Sequence, residues 1–292
     1  VDYSYITGSQ AITADLSLTA EQIKDRVTTT NFDTLYDIEN VLATKNEDTL
    51  KGSDDFTIVN ILDGYKGNDT FYASKGLDSF IGGEGIDTLD YSNVDLANGG
   101  TRVIVDLGLQ KATDDGYHDG STLYTDYISE IEIVKGTSGN DSLYGDSNAN
   151  SLFGNAGDDV IEGREGADYL EGNAGADIIN GGADKDTIYG GDGNDQLTGG
   201  VGNDTLYGEA GLDTLIGSEG DDTFSGGADS DTLTYVSAGS SITVTLGNGS
   251  TDFGSIVSST EGTDTLLDHI EIIKGSNYSD NIQGFNGTAI VG

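Results

Sequence analysis

Apolar side chains are sparse in this chain, and through its middle they fall singly at a fixed interval. Leu143, Leu152, Ile161, Leu170, Ile179, Ile188, Leu197, Leu206, Leu215, Phe224 and Leu233 recur every nine residues. In a strand, side chains alternate in direction, so each of these residues faces inward while its two neighbours face solvent. The pattern predicts a three-residue strand followed by a six-residue turn, repeated along the chain. Two residues before each apolar position stands an acid or its amide: Asp141, Asn150, Asp159, Asp168, Asp177, Asp186, Asp195, Asp204, Asp213, Asp222 and Asp231. A glycine lies five residues ahead of each, from Gly136 and Gly145 to Gly217 and Gly226, as a tight turn with positive φ or a close backbone approach requires.

The same spacing appears upstream in Asp69, Asp78 and Asp87, with Phe71, Phe80 and Leu89 at the inward positions and Asn60 and Leu62 one step earlier. Asp280 and Ile282 begin a further repeat, but Ala289 stands where the next acid belongs. A longer module surrounds these runs. Tyr3-Ser4, Tyr91-Ser92 and Tyr235 follow, or would follow, a repeat strand, and Ile38-Glu39, Ile131-Glu132 and Ile270-Glu271 each precede an acid that reopens the repeat, at Asp48, Asp141 and Asp280. The expected organisation is a β-rich insert over 1–51, a short roll over 52–90, an insert over 91–135, the main roll over 136–234, an insert over 235–274, and the start of a further roll or cap over 275–292. Segments such as 102–107 and 242–246 are expected to be strands, and Thr19 with Gln22 has the capping-box spacing of a short helical turn near 19–27. The unfinished repeats at both ends suggest a piece of a longer protein.

Charge makes this organisation a physical problem. Twelve Lys+Arg against 52 Asp+Glu give a formal charge of −40, and hydrophobic residues are only 35% of a chain with 45 Gly and no Pro, Cys, Met or Trp. Low apolar content with high net charge is the signature of a disordered chain unless counter-charge is supplied. Burying one apolar side chain contributes on the order of 1.5–3 kcal/mol, while ordering nine residues costs roughly 1–2 kcal/mol apiece, so apolar burial alone loses. The acidity also argues against nucleic acid as a partner. Without cysteine there is no disulfide or thiolate site, and His118 and His269 lie too far apart in sequence to suggest zinc. Hard oxygen ligands remain, and no apolar run approaches the ~18 residues of a membrane span.

The consensus GGxGxDxUx, with U apolar, resembles the nonapeptide of the RTX (haemolysin-type calcium-binding) repeat family. The resemblance implies an all-β fold of parallel β-roll segments, a right-handed β-solenoid, with the β-rich inserts between them. It further implies that turns two repeats apart share one edge and hold Ca²⁺ between them through carboxylates and backbone carbonyls, which suits the all-oxygen preference of the ion. Asp141, Asp159, Asp177, Asp195, Asp213 and Asp231 then line one edge of the main roll, and Asn150, Asp168, Asp186, Asp204 and Asp222 the other. About nine ions are expected there, weakest near the neutral Asn150, and one or two in the short roll of Asp69, Asp78 and Asp87, between Asp69 and Asp87 and between Asn60 and Asp78.

Three classes of function compete. The leading one is a structural, secretion-coupled segment of an extracellular or cell-surface protein, exported by a type I route, favouring an adhesin, which folds where calcium is plentiful. An enzyme is disfavoured, since HExxH, GxSxG and proline are all missing. The alternative is a polysaccharide-binding module, or an accessory region of a secreted exoenzyme. Phe153, Tyr189 and Tyr207, with Tyr169, Thr187, Thr205 and Thr223, form outward rows that could meet cell-surface glycans, although cross-strand pairing that suits a β surface is the favoured account of them.

Overall fold

The computed structural model describes residues 1–5, 11–17, 21–25, 32–35, 38–94, 102–118, 123–246, 254–258, 262–268, 270–283 and 289–291. Among these there is no helix, and hence none long and apolar enough to cross a membrane. The chain divides into two compact units, Val1–Leu143 and Tyr144–Gly292. Both are parallel β-solenoids.

In the second unit the strands feed two sheets alternately. Ser151–Ala156, Tyr169–Ala174, Thr187–Asp192, Thr205–Ala210 and Thr223–Ala228 pair in parallel in one sheet. Val160–Glu165, Ile178–Ala183, Gln196–Val201, Thr214–Ile216, Thr232–Thr234 and Ile272–Lys274 pair in the other. The register within a sheet matches residues two nonapeptides apart, so Leu170 lies on Ile188 and Ile188 on Leu206. Each sheet therefore stacks one apolar residue per strand. Leu152 through Leu233, the predicted inward positions of the main repeat run in this unit, are fully buried.

Most of these strands run to six residues rather than the expected three. After a skipped glycine, the pairing resumes between turn residues, as in Asn173 with Gly191 and Ala174 with Asp192. The turns stack with the same register as the strands, so their backbone groups satisfy one another across the ladder.

The first unit has the same plan in shorter strands. Thr49–Lys51, Thr70–Tyr72, Thr88–Asp90 and Ile133–Lys135 form one parallel run, and Asn40–Leu42, Ile61–Asp63 and Ser79–Ile81 the other. Leu50, Leu62, Phe71, Phe80, Leu89 and Val134 fill its core, with the Phe71 and Phe80 rings edge to face at 6.0 Å.

Between the repeat runs the chain makes three-stranded antiparallel excursions: Ile104–Asp106, Lys111–His118 and Leu123–Ser129 in the first unit, and Ile242–Leu246, Gly254–Ser258 and Gly262–Asp268 in the second. The last strand of each returns to parallel pairing, Leu123–Ser129 on Ser79–Ile81 and Gly262–Asp268 on Thr223–Ala228. A similar excursion near the start places Glu21–Asp25 antiparallel to Ile12–Asp15. The helical turn expected there is a strand instead: pairing with two neighbouring strands outweighs a local capping signal. His118 ends an insert strand, and His269 lies outside the described residues.

The inward stack yields a direct expectation. Ile188→Ala should cost on the order of 2–5 kcal/mol, since it opens a cavity between Leu170 and Leu206, whereas Thr187→Ala on the outward face should change stability by no more than about 0.5 kcal/mol. Thermal unfolding of both variants in excess calcium measures the contrast.

Candidate metal centre

The repeat acids from Asp69 to Asp87 and from Asp141 to Asp231 are buried at the edge of the solenoid, and in most of them the two oxygens do different things. Oδ1 accepts a hydrogen bond from the backbone N–H of the acid or amide two turns earlier. Asp168 receives Asn150 N, Asp177 receives Asp159 N, Asp186 receives Asp168 N and Asp195 receives Asp177 N, all at 2.7–2.9 Å. The ladder continues through Asp204, Asp213, Asp222 and Asp231. In the first unit Asp87 receives Asp69 N and Asp78 receives Asn60 N. These bonds place the acids on two edges, as the family resemblance implied: Asn150, Asp168, Asp186, Asp204 and Asp222 on one, and Asp159, Asp177, Asp195, Asp213 and Asp231 on the other.

Oδ2 is the chemically informative atom. In Asp69, Asp87, Asp168, Asp177, Asp186, Asp195, Asp204, Asp213 and Asp231 it is buried and accepts no hydrogen bond from the protein. A buried carboxylate oxygen without a partner is expensive, because burial removes its water and nothing replaces it. Desolvation accordingly pushes these acids up, reinforced in several turns by neighbouring carboxylates. Asp69 rises to about 8, Asp186 and Asp222 to about 7, and Asp168, Asp177, Asp195, Asp213 and Asp231 to about 6, against an ordinary 3.8.

The glycines show why each Oδ2 has room for a ligand. A Cβ added to Gly163 would press into Asp168 Oδ2 and the Gly181 carbonyl oxygen, and one added to Gly181 into Asp186 Oδ2 and the Gly199 carbonyl oxygen. Carboxylate and carbonyl oxygens from turns two apart thus converge beside a residue that has no side chain. Within the same turns Gly191 and Gly193 have φ of 114° and 149°, which L side chains rarely adopt. No three His, Cys, Asp or Glu side chains cluster around one point among the described residues. A cation held here would draw on one or two carboxylates and on backbone carbonyls, a donor set that suits Ca²⁺.

Two acids on the expected list stand apart. Asp141 accepts from Val103 N with Oδ1 and from Thr137 N with Oδ2, and the Thr137 hydroxyl lies 3.0 Å from both oxygens. Asp78 Oδ2 accepts the Ser74 hydroxyl at 2.6 Å. Asp48 is held by Thr44 as Asp141 is by Thr137. In all three a hydroxyl residue four positions before the acid supplies the hydrogen bond.

The nine-residue spacing misses other acids that the structure places in the same ladder. Asp126 Oδ1 accepts from Asp78 N, Asp264 Oδ1 from Asp222 N, Glu132 Oε2 from Asp87 N and Glu271 Oε2 from Asp231 N, at 2.8–2.9 Å. The separations of 48 and 42 residues for the first two are not multiples of nine, so the period hides them. The surviving signal is local: each stands two residues before a buried apolar residue, Ile128, Leu266, Val134 or Ile273. A further ladder uses the residue just before the acid, where the side chains of Asn68, Asp158, Asn194 and Asn203 accept from the backbone two turns on.

A parallel solenoid whose turns aim buried carboxylate and carbonyl oxygens at shared positions is a calcium-binding β-roll. Four copies of the RTX calcium-binding nonapeptide repeat match over residues 59–89, 135–170, 162–197 and 198–233. The chain belongs to the RTX repeat family. No curated protein sequence matches it. Among solved structures, it is similar to the extracellular lipase LipA from Serratia marcescens, at 19% identity over 78% of this chain and 37% of the lipase, with a TM-score of 0.25. The chain thus spans little more than a third of that lipase, and a likeness at this score carries no argument about function.

The raised carboxylates fix the sign of a pH effect. Because the folded values lie above the unfolded one, these acids favour the metal-free fold below about pH 4, and the contribution is lost as pH rises through 6–8. In chelator, far-UV circular dichroism should show more β structure at pH 5 than at pH 8. In calcium the trend should reverse, since protons compete with the ion for the same oxygens.

Proposed function

We propose that this chain is a calcium-folded structural segment of a secreted or cell-surface protein, without catalysis of its own. The carrying observation is the series of buried, unpartnered Oδ2 atoms from Asp168 to Asp231, repeated at Asp69 and Asp87. In this reading they are the carboxylate ligands, with the glycine carbonyls two turns on completing each shell. When bound, calcium supplies the positive charge that offsets carboxylate repulsion and joins turns two repeats apart. The rolls are then residues 52–90 and 136–234, the inserts 1–51, 91–135 and 235–274, and a further roll begins in 275–292.

The secretory role follows from the charge. A chain with a formal charge of −40 and a thin core resists compaction where calcium is scarce, which suits passage through a type I channel, and folds where millimolar calcium is available. Type I export, an extracellular location and an adhesin as the parent protein are the finer parts of this proposal. The carbohydrate alternative draws less support. Phe153, Tyr169, Tyr189 and Tyr207 form a ladder with centroids 4.7–5.6 Å apart, and Tyr189 and Tyr207 stack at 12° between ring planes. Those two rings turn a face to each other, so each has one face fewer for a sugar.

A calcium titration from chelator to millimolar, followed by far-UV circular dichroism with Mg²⁺ as control, tests the reading. A transition from disorder to β structure that calcium drives and magnesium does not is expected. A full β spectrum in chelator at pH 7–8 would overturn it.

A further inference from the structure

Two of the turns carry Asn where the repeat has Asp, and both depart from their neighbours in the same way. In Asp turns such as those of Asp168, Asp177 and Asp186, the oxygen beside the first glycine is unpartnered. In the Asn turns that oxygen is already taken. Asn150 Oδ1 accepts from Asp146 N at 2.8 Å, and Asn60 Oδ1 from Ser53 N at 2.6 Å.

In both Asn intervals a side chain of the turn two repeats on, the one with which calcium would be shared, enters the space between the turns. Above Asn60, Ser74 donates its hydroxyl to Asp78 Oδ2 at 2.6 Å. A Cβ at Gly52 would meet Ser74 Oγ and Asn60 Oδ1, where Gly163 and Gly181 meet a carboxylate and a glycine carbonyl. The hydroxyl therefore sits in the interval between Asn60 and Asp78. Above Asn150, Arg164 donates from its guanidinium to the Gly145 carbonyl at 2.8 Å and lies over the Tyr144 ring, 5.5 Å from its centroid. Arg164 belongs to the turn of Asp168, and Gly145 to the turn of Asn150.

Ser74 and Arg164 occupy the same place in the repeat, four residues before the acid. That position is glycine in the turns of Asp186, Asp195, Asp204 and Asp231. Arg164 holds it at φ 80°, a conformation that disfavours any L side chain other than Asn or Asp. The charge follows the same logic: Asp–Gly–Asp presents two negative charges to an ion, whereas Asn150–Arg164–Asp168 sums to zero and Asn60–Ser74–Asp78 to one negative charge.

We propose that these two intervals take no calcium, because a side chain at the second position of the repeat occupies them in its place: Ser74 between Asn60 and Asp78, and Arg164 between Asn150 and Asp168. The inference rests on the calcium reading above and sets which turns the ions occupy. Asn at the ligand position and a bulky or hydroxyl residue four before the following acid on the same edge mark a calcium-free step.

Restoring the repeat should create the missing sites. Bound calcium per chain, counted after equilibrium dialysis at millimolar calcium, should rise by one in N150D/R164G and by one in N60D/S74G relative to the native chain. N150D alone, which keeps the guanidinium, should gain none. Glycine suits the left-handed position of Arg164, and circular dichroism in calcium verifies that each variant folds. Double variants that fold but bind the native number of ions would overturn the inference. A native chain that binds no calcium would instead sink the reading on which it rests, so the two failures are distinct.

Discussion

A carboxylate oxygen removed from water must find a donor or a cation, and this requirement governs the chain. The apolar core is one residue wide per strand, too thin to order nine residues by itself. What the fold buries besides Leu, Ile and Phe is a column of aspartates on each edge, and the second oxygen of most of them meets no protein donor. On the calcium reading, the fold is conditional on an external positive charge. The glycines follow from the same requirement, since any side chain at Gly163 or Gly181 would fill the space where carboxylate and carbonyl oxygens converge.

The division of labour within each carboxylate ties ion binding to strand register. Oδ1 staples the acid to the backbone two turns back and fixes where Oδ2 can point. Shifting a strand by one residue would break the staple and turn the apolar residue outward, so register is held twice, by the core and by the edge. Each repeat contacts little beyond its neighbours in the stack. Stability then accumulates along the column as a sum of nearest-neighbour terms, and an ion held between two turns would contribute to both.

The repeat was legible because three residue classes keep one period, and each has its own physical cause: glycine for space, aspartate for the ladder, and Leu or Ile for the core. The alternating edges came from family resemblance, and the hydrogen-bond ladder supports them. The acids of the inserts were not legible by period. Asp126 and Asp264 reach the ladder after antiparallel excursions whose lengths bear no relation to nine residues, and only their spacing to Ile128 and Leu266 survives. The Ile-Glu module was visible, but its role was not, because a glutamate in the aspartate position became apparent only when Val134 was seen lying on Leu89 and Ile273 on Leu233. The strand at Glu21–Asp25 was misread because its pairing is tertiary while the capping-box signal is local.

A repeat that depends on ions has to end somewhere, and its ends are where the sequence departs from the consensus. A raw end would leave strand edges open and the last carboxylate facing nothing. The chain answers with side chains that do locally what an ion does between turns. Thr137 closes on Asp141 and Thr44 on Asp48, while Tyr235, fully buried just past the main repeat run, donates its hydroxyl to Asp264. Such groups bring no net charge and need no external partner, so turns built on them satisfy their carboxylates without an ion. Preformed turns at the borders of a calcium-dependent column would give the first ion a template on which to order the next repeat. Order spreading from a fixed end spares the repeat run a separate nucleation step, which is the costly one in a stack where each unit gains most from the neighbour already in place.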